Sequence, residues 1–224
     1  MDAIRGASNF QVQDHCQPKS TQSSPAFTAN QANGRPNFGA VQQQAAGGLQ
    51  GAQQLGQQFN GIVQSGNSNG PTVAVIDDFG SSHGNEVAGI VQSGGASTLR
   101  FDVNNGGSRD QGVLNALDSV IGAVQSGQRV DAVNLSQQNF QANGATAAIQ
   151  QRIGLLESMG VPVVVAAGNG GGGQANQYAG GASFVVEGDG PNSGRGNVHG
   201  QGATTSQAAA QVAAQVAIAH SQGL

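Results

Sequence analysis

Short runs of β-branched and other apolar residues alternate with helical patterns from residue 71 onward. A run of this kind, bounded by turn residues and apolar throughout, is typical of a strand that is buried on both faces of a parallel sheet. The predicted strands are residues 73–76, 131–135, 161–167 and 183–186, with 99–103 as a further candidate. The predicted helices are residues 83–93, 110–126, 145–159 and 206–220. This alternation predicts an α/β fold of three layers, in which helices flank a mostly parallel sheet on both faces.

The N-terminal region has a different composition. Residues 1–47 are rich in Gln, Ser, Asn, Ala and Pro and lack apolar periodicity, which is typical of disorder. Residues 48–64 can form a helical stripe, but interspersed glycines weaken it. The predicted organisation is a low-complexity, largely disordered segment at 1–65, followed by one folded domain at 66–224.

Charge and hydropathy argue against several classes of partner. Asp, Glu, Lys and Arg make up only 9% of the chain and the formal net charge is -4, which argues against nucleic acid or an anionic membrane surface. No apolar run approaches the roughly 18 residues of a transmembrane helix. The first 30 residues lack the apolar core of a secretory signal peptide. We therefore expect a monomer that is either cytoplasmic or exported without a cleaved leader.

Few residues could bind a metal or act as an unusual nucleophile. Cys16 is the only cysteine, and the four histidines are too scattered for metal-ligand spacing. No cofactor is expected, and although calcium binding stays open, no motif supports it. Lys19 is the only lysine and lies outside every periodic segment, which excludes Ser–Lys catalysis and a P-loop lysine.

Residues 72–90, TVAVIDDFGSSHGNEVAGI, place an acid and an imidazole on consecutive elements. Asp77 directly follows the apolar run, and His83 opens the next helix. Ligands of α/β folds bind at the carboxyl edge of the strands, so the two side chains are expected to meet there. Together they are two members of a nucleophilic triad. Asp78 is the alternative acid, and Asp77 is preferred because it directly follows the strand.

Two later segments supply a serine and an asparagine. Ser206 begins an alanine-rich helix, where it either caps the helix or presents its hydroxyl near the positive end of the helix dipole. Asn169 follows the strand at 161–167, where it either occupies a turn or donates to a developing oxyanion. The other candidate bases have simpler explanations, because His199 lies in a glycine-rich loop and His220 in the last turn of the final helix.

These segments together resemble the subtilisin-like serine protease family, and the resemblance covers most of residues 71–220. VAVIDDFG (73–80) is similar to the family's aspartate motif, HGNEVAGI (83–90) to its histidine motif and TSQAAAQVA (205–213) to its nucleophile motif. They occur in the order Asp, His, Ser, which is the order found in subtilisin. The resemblance therefore implies a serine endopeptidase with a subtilisin-like fold.

The resemblance also implies a role for each residue. Ser206 Oγ would attack a peptide carbonyl, His83 would take its proton, and Asp77 would orient the imidazole. VVAAGN (164–169) resembles the segment that carries the family's oxyanion asparagine. The amide of Asn169 and the backbone N–H of Ser206 would then stabilise the oxyanion.

A further motif points to the substrate. NLS (134–136) resembles the strand edge along which the family's substrates lie. The resemblance implies an extended polypeptide that is held largely by main-chain hydrogen bonds. Its binding residues would be Asn134, Leu135, Ser136 and Gly168.

The chain departs from the family at several places, three of which bear most directly on the site. His83 follows Asp77 by only six positions, whereas the family has a longer connection. Thr204 stands where the family has glycine before the Thr-Ser pair, and Gln137 and Gln138 stand where it has Leu-Gly. A member of the family with this sequence would be compact and divergent.

Two alternatives come from other classes of protein. The glutamine-rich N-terminal segment and the altered loop before Ser206 are compatible with a catalytically inactive subtilisin fold that serves as a binding or effector module. Gly168, Gly170 and Gly173 match the GxGxxG pattern of nucleotide-binding proteins. That pattern should open a helix, whereas QANQYAGGAS (174–183) has no apolar helical period.

Overall fold

The computed structural model describes residues 64–65, 70–171 and 174–224. The strands are β1 (Gln64–Ser65), β2 (Thr72–Asp77), β3 (Ser97–Asp102), β4 (Ala132–Leu135), β5 (Val163–Ala166), β6 (Phe184–Glu187) and β7 (Val198–His199). The helices are α1 (Ser82–Ser93), α2 (Arg109–Gln125), α3 (Gly144–Ser158) and α4 (Thr205–Ser221), with a 3₁₀ turn at Gln177–Ala179. The strands and helices predicted from residue 71 onward are confirmed, with boundaries that differ by a few residues.

The strands form one sheet in the order β1-β3-β2-β4-β5-β6-β7. Strands β2 to β7 are parallel to their neighbours, and β1 pairs antiparallel with β3. The chain passes from β2 to β3 on one side and then returns to β4 on the other side of β2. The strand order therefore reverses at β2, and the carboxyl ends of β2 and β4 border the crevice where α/β proteins bind ligands.

Helices cover both faces of the sheet and enclose two apolar cores. Successive side chains of a strand point to opposite faces, so Ala74 and Ile76 of β2 pack against α2 and α3, whereas Val73 and Val75 pack against α1 and α4. All six residues of β2 are buried. This arrangement is the predicted three-layer α/β fold, with a sheet that is mostly parallel.

Helix α4 is almost entirely apolar on its inner side, and small residues fill that side. Its fully buried apolar residues are Ala208, Ala209, Ala210, Ala213, Ala214 and Ala217. Small side chains allow α4 to approach the sheet closely, and Gly94 of the neighbouring helix end has no room for a Cβ, which would lie 2.7 Å from the Ala214 Cβ. The inner side of α4 is therefore packed closely against the sheet and against the end of α1.

The predicted N-terminal segment lies outside the described residues, apart from Gln64 and Ser65. These two residues pair with Leu99 and Thr98 of β3. The helical stripe considered for residues 48–64 also lies outside the described part, except for Gln64, which belongs to β1. No helix in the described ranges is long and apolar enough to cross a membrane.

Candidate active site

Three of the four residues proposed for catalysis line one cleft at the carboxyl edge of the sheet. The cleft has a volume of about 230 Å³, and His83, Asn169 and Ser206 contribute to its wall. Its other lining residues are Asp78, Ser81, Arg109, Ser136, Gln137, Gln138, Ala166 and Thr205. It therefore opens where the strand order reverses.

Asp77 lies directly behind His83. Asp77 is fully buried at the end of β2, and its Oδ1 accepts a hydrogen bond from His83 Nδ1 at 2.8 Å. A carboxylate only accepts hydrogen bonds, so the Nδ1 of His83 carries the proton and Nε2 is left as the basic nitrogen. The His83 side chain is 42% exposed, which gives it access to the cleft.

The hydrogen bond to Asp77 is the main reason why the pKa of His83 lies above its ordinary value. Partial burial of the ring opposes this rise, and the charges of Asp77, Glu86 and Asp78 add to it. The protonated form of His83 is therefore stabilised, as a base that must carry a proton during a reaction requires.

The connection between Asp77 and His83 is short because the backbone folds back on itself. Ser81 caps α1 by accepting from His83 N–H, and Gly84 N–H donates to Asp78 O at 3.1 Å. A Cβ on Gly84 would lie 2.6 Å from that same carbonyl oxygen, a distance too short for any side chain. The glycine after His83 therefore allows the tight return that places the imidazole against Asp77.

Asp78 is hydrogen-bonded to residues other than His83. Its Oδ1 accepts from Asn104 Nδ2 and from Ser81 N–H, and the Asn104 hydrogen bond is the main reason why the pKa of Asp78 lies below its ordinary value. In the described part of the chain, no hydrogen bond joins Asp78 to His83. Of the two adjacent aspartates, it is Asp77 that contacts the imidazole.

Ser206 is the second residue of α4, and it is not the helix cap. Thr204 is the cap, since its side chain accepts from Gln207 N–H while the Gln207 side chain accepts from Thr204 N–H. The capping interpretation of Ser206 is therefore wrong. Thr204 has a φ of -124°, which is extended backbone open to any residue, so its position does not require the glycine of the resembling family.

The Ser206 side chain makes no hydrogen bond with any described residue, including His83. Its residue is 5% exposed, and its carbonyl accepts from Ser136 Oγ at 3.4 Å. The hydrogen bond between Asp77 and His83 is thus formed in this structure, whereas the one between His83 and Ser206 is not. Hydrogen bonds of this second kind are often long in the absence of substrate and tighten when it binds.

Asn169 is held in one orientation by the first residue of α4. Its Oδ1 accepts from Thr205 N–H at 3.0 Å and from Thr205 Oγ1 at 3.2 Å. A backbone N–H only donates, so the amide oxygen must face Thr205 and Nδ2 must face the other way. Neither Asn169 Nδ2 nor Ser206 N–H donates to a described residue, and both residues line the cleft.

The expected substrate-binding residues have unequal access to the cleft. Ser136 lines the cleft. Asn134 and Leu135 are fully buried in β4 and paired with β2 and β5 on its two sides, so they do not reach it. Gly168 is buried with a φ of +94°, and a Cβ there would lie 2.9 Å from Phe140. The edge that a substrate can reach therefore begins at Ser136.

Four polar residues to which the sequence analysis gave no role in the site support it. Gln138 Oε1 accepts from Asn169 N–H at 2.8 Å, and Thr205 Oγ1 accepts from Gly168 N–H at 3.2 Å. Gln137 donates to Asp77, and Arg109 donates to Gln137. Gln137 and Gln138 follow a buried strand, at positions where the family that the sequence resembles has Leu-Gly. This difference was the sequence signal that could have indicated their role in the site.

The remaining histidines lie elsewhere. His199 Nε2 is 3.0 Å from Asp189 Oδ1, and His220 lies near the end of α4; neither lines the cleft. The third glycine of the GxGxxG pattern, Gly173, lies outside the described residues. In the described ranges, the only helical turn between β5 and β6 is the short one at Gln177–Ala179, so the helix that nucleotide binding requires is missing.

No group of three or more His, Cys, Asp and Glu side chains within residues 70–171 and 174–224 could hold a metal ion. Neither a protein-family model nor a curated protein matches this chain. The functional assignment therefore depends on the geometry of the cleft and on the motifs that line it.

Proposed function

We propose that this protein is a serine endopeptidase of the subtilisin-like family, which hydrolyses peptide bonds through an acyl-enzyme intermediate. The observation that carries the proposal is the 2.8 Å hydrogen bond from His83 to the buried Asp77, beside a cleft that Ser206 also lines. A buried carboxylate behind an imidazole, with a serine hydroxyl in the same cleft, is the arrangement that nucleophilic acyl transfer requires.

The reaction follows from the groups in the cleft. Ser206 Oγ attacks the scissile carbonyl carbon while His83 Nε2 takes the hydroxyl proton. The tetrahedral intermediate collapses, the C–N bond breaks, and His83 gives its proton to the leaving amine. Water then repeats the sequence on the acyl-enzyme, so that the peptide acid leaves and Ser206 recovers its proton.

The oxyanion that forms in each half of the reaction needs donors that are already in place. Support for this step comes from two donors of cleft-lining residues that have no partner among the described residues, the Ser206 backbone N–H and Asn169 Nδ2. Thr205 fixes the Asn169 amide through its backbone N–H and its hydroxyl. The helix dipole of α4 adds partial positive charge at the same place.

A polypeptide in extended conformation is the substrate that best suits this cleft. β4 ends at Leu135 and the next residue, Ser136, lines the cleft, so we expect the backbone there to pair with an added strand. We expect main-chain hydrogen bonds to contribute most of the affinity, because the cleft wall is formed mainly by polar side chains.

One observation favours the second candidate function, an inactive binding or effector module. No hydrogen bond joins His83 to Ser206 Oγ among the described residues, so the nucleophile is not yet activated. If substrate does not close this gap, the cleft would bind a polypeptide without cleaving it.

Labelling with a fluorophosphonate probe separates the two functions. Wild type is expected to form a covalent adduct, and Ser206→Ala to form none. Ser221→Ala is the matched control, because Ser221 lies at the other end of the same helix and donates to Ile218 O. Folded wild type that is not labelled, together with tight peptide binding, would favour the inactive module.

A further inference from the structure

A chain of buried polar contacts extends behind the triad acid. Asp77 Oδ1 accepts three hydrogen bonds, from Asp78 N–H at 2.7 Å, from His83 Nδ1 at 2.8 Å and from Gln137 Nε2 at 2.8 Å. Asp77 Oδ2 is buried and has no hydrogen-bond partner among the described residues. All restraint on the direction of this carboxylate therefore acts through one oxygen.

Gln137 is the only side chain other than His83 in that set of three donors. It lies 60 positions from Asp77 in the sequence and is 4% exposed. Without Gln137, the carboxylate would be held by one neighbouring backbone N–H and by the imidazole that it is meant to orient. Gln137 is thus the independent contact that decides how Asp77 faces His83.

Arg109 fixes the orientation of the Gln137 amide. Arg109 Nη1 donates to Gln137 Oε1 at 2.9 Å. A guanidinium only donates and a carboxylate only accepts, so the amide oxygen must face Arg109 and the amide nitrogen must face Asp77. A flipped amide would lose both contacts. Arg109 is exposed at the start of α2 and lines the cleft, so the chain runs from the cleft surface to the buried acid.

We propose that Gln137 and Arg109 are positioning residues for the candidate triad, in which Arg109 orients the Gln137 amide and Gln137 holds the Asp77 carboxylate toward His83. This inference rests on the proposed function for its effect on turnover, but the effect on His83 itself does not depend on turnover. Gln137 occupies a position where a leucine would fill similar space without the two polar contacts.

Gln137→Leu tests the first link. Without the amide the carboxylate is no longer held toward His83, so kcat should fall about 10-fold or more, the scale of one hydrogen bond to a charged group, while KM changes little. The midpoint of His83 titration, followed by NMR of the ring nitrogens, should move to lower pH, because the Asp77 hydrogen bond is the main contact that stabilises the protonated ring. Gln128→Leu is the matched control, because Gln128 is exposed and makes no side-chain hydrogen bond with a described residue.

The charged groups around His83 must be considered in that titration. They are Asp77, Asp78 and Glu86, with Arg109 across the cleft. Gln137→Leu keeps all four charges, so a moved midpoint reports the Asp77 contact together with any movement of Arg109. Asp78→Asn, made in wild type and in Gln137→Leu, measures how much Asp78 contributes to the midpoint of the His83 titration. This contribution should be equal in the two proteins.

Arg109→Met and Arg109→Lys test the second link. Arg109→Met should lower kcat in the same direction as Gln137→Leu, and Arg109→Lys should restore part of it, because lysine keeps a donor for the Gln137 oxygen. Arg195→Met is the matched control, since Arg195 is exposed and lies outside the cleft lining. The double variant of Arg109 and Gln137 should lose no more than Gln137→Leu alone, because both act through one contact.

The outcomes separate this inference from the proposed function. If wild type is labelled by the fluorophosphonate but folded Gln137→Leu keeps its kcat and its His83 titration, the positioning role is wrong while the protease stands. If wild type is not labelled but Gln137→Leu moves the His83 titration, the positioning contact stands and the protease is wrong. Titrations are done on Ser206→Ala as well, so that self-cleavage cannot alter them.

Discussion

Asp77 and Asp78 are adjacent in the sequence but have different environments. Asp77 is buried behind His83, whereas Asp78 contacts Asn104 and Ser81 near the surface. Successive side chains point in opposite directions at the end of a strand. The order of the two aspartates therefore decides which one accepts the hydrogen bond from the His83 imidazole.

Asp77→Asn should lower kcat/KM for a peptide substrate by roughly 10⁴-fold, because an amide in place of the carboxylate favours the wrong imidazole tautomer. Asp78→Asn should lower it by less than about 10-fold, since Asp78 makes no contact with His83. The comparison of kcat/KM for the two variants checks the assignment. Equal losses would contradict it.

The turn between β2 and α1 depends on the absence of a side chain at Gly84. Alanine there would place a Cβ 2.6 Å from the Asp78 carbonyl oxygen and 2.9 Å from its carbon. Since both atoms belong to the backbone, the turn itself must move. The conformation of the turn as a whole, rather than any one contact in it, sets the distance between Asp77 and His83.

Gly84→Ala should therefore reduce the rate of fluorophosphonate labelling by about 10²-fold, the effect of a misplacement of about 1 Å. Gly89→Ala is the matched control, because an added Cβ on this residue of α1 meets nothing within 4 Å. The control should keep the labelling rate and gain up to about 1 kcal/mol in the free energy of unfolding. Equal labelling of the two variants would show that the turn is not critical.

Ser206 lies in the first turn of α4, and most of the buried side of this helix consists of alanines. Ala213→Leu adds three carbon atoms where the residue is fully buried, so the free energy of unfolding in urea should fall by about 1–3 kcal/mol. Gln215→Leu, on the exposed side of α4, should change it by less than about 0.5 kcal/mol. If Ala213→Leu left the free energy of unfolding unchanged, α4 would pack loosely and Ser206 would not be held in a fixed position.

The free energy of unfolding of the whole molecule should depend on pH in a way that reflects the titration of His83. Its pKa in the folded protein lies above the ordinary value of 6.5, chiefly because of the Asp77 hydrogen bond. A raised folded pKa contributes stability that is fully present below the unfolded pKa and is lost as pH rises through the folded pKa. The contribution is reduced by solvent because the side chain is partly exposed.

His83→Gln should therefore lower the free energy of unfolding more at about pH 6 than at about pH 9. Denaturant unfolding of wild type and variant at the two pH values measures the difference. His220→Gln is the matched control, since His220 pairs with no acidic side chain in the described ranges. A larger loss at the higher pH would contradict the sign of the His83 contribution.

The architecture brings together residues that are far apart in the chain. Gln137 meets Asp77 across 60 positions, and Ser136 meets Ser206 across 70. The first contact requires β4 to lie beside β2, which follows from the reversal of strand order, and the second requires α4 to lie against β4. A local sequence pattern indicates where strands end, but it does not indicate which ends become neighbours.

The α/β class, the helices and strands from residue 71 onward other than β7, and the places of Asp77, His83, Asn169 and Ser206 in or beside them could be predicted from the sequence alone. This was possible because apolar periodicity reports burial within a single element. The Thr204 cap is local, since it joins Thr204 to Gln207 three positions further on. The tertiary structure was needed to show that Asn134 and Leu135 lie inside the sheet and that Gln137 and Thr205 hold the acid and the amide. These outcomes depend on long-range neighbours, and no periodicity within one element encodes them.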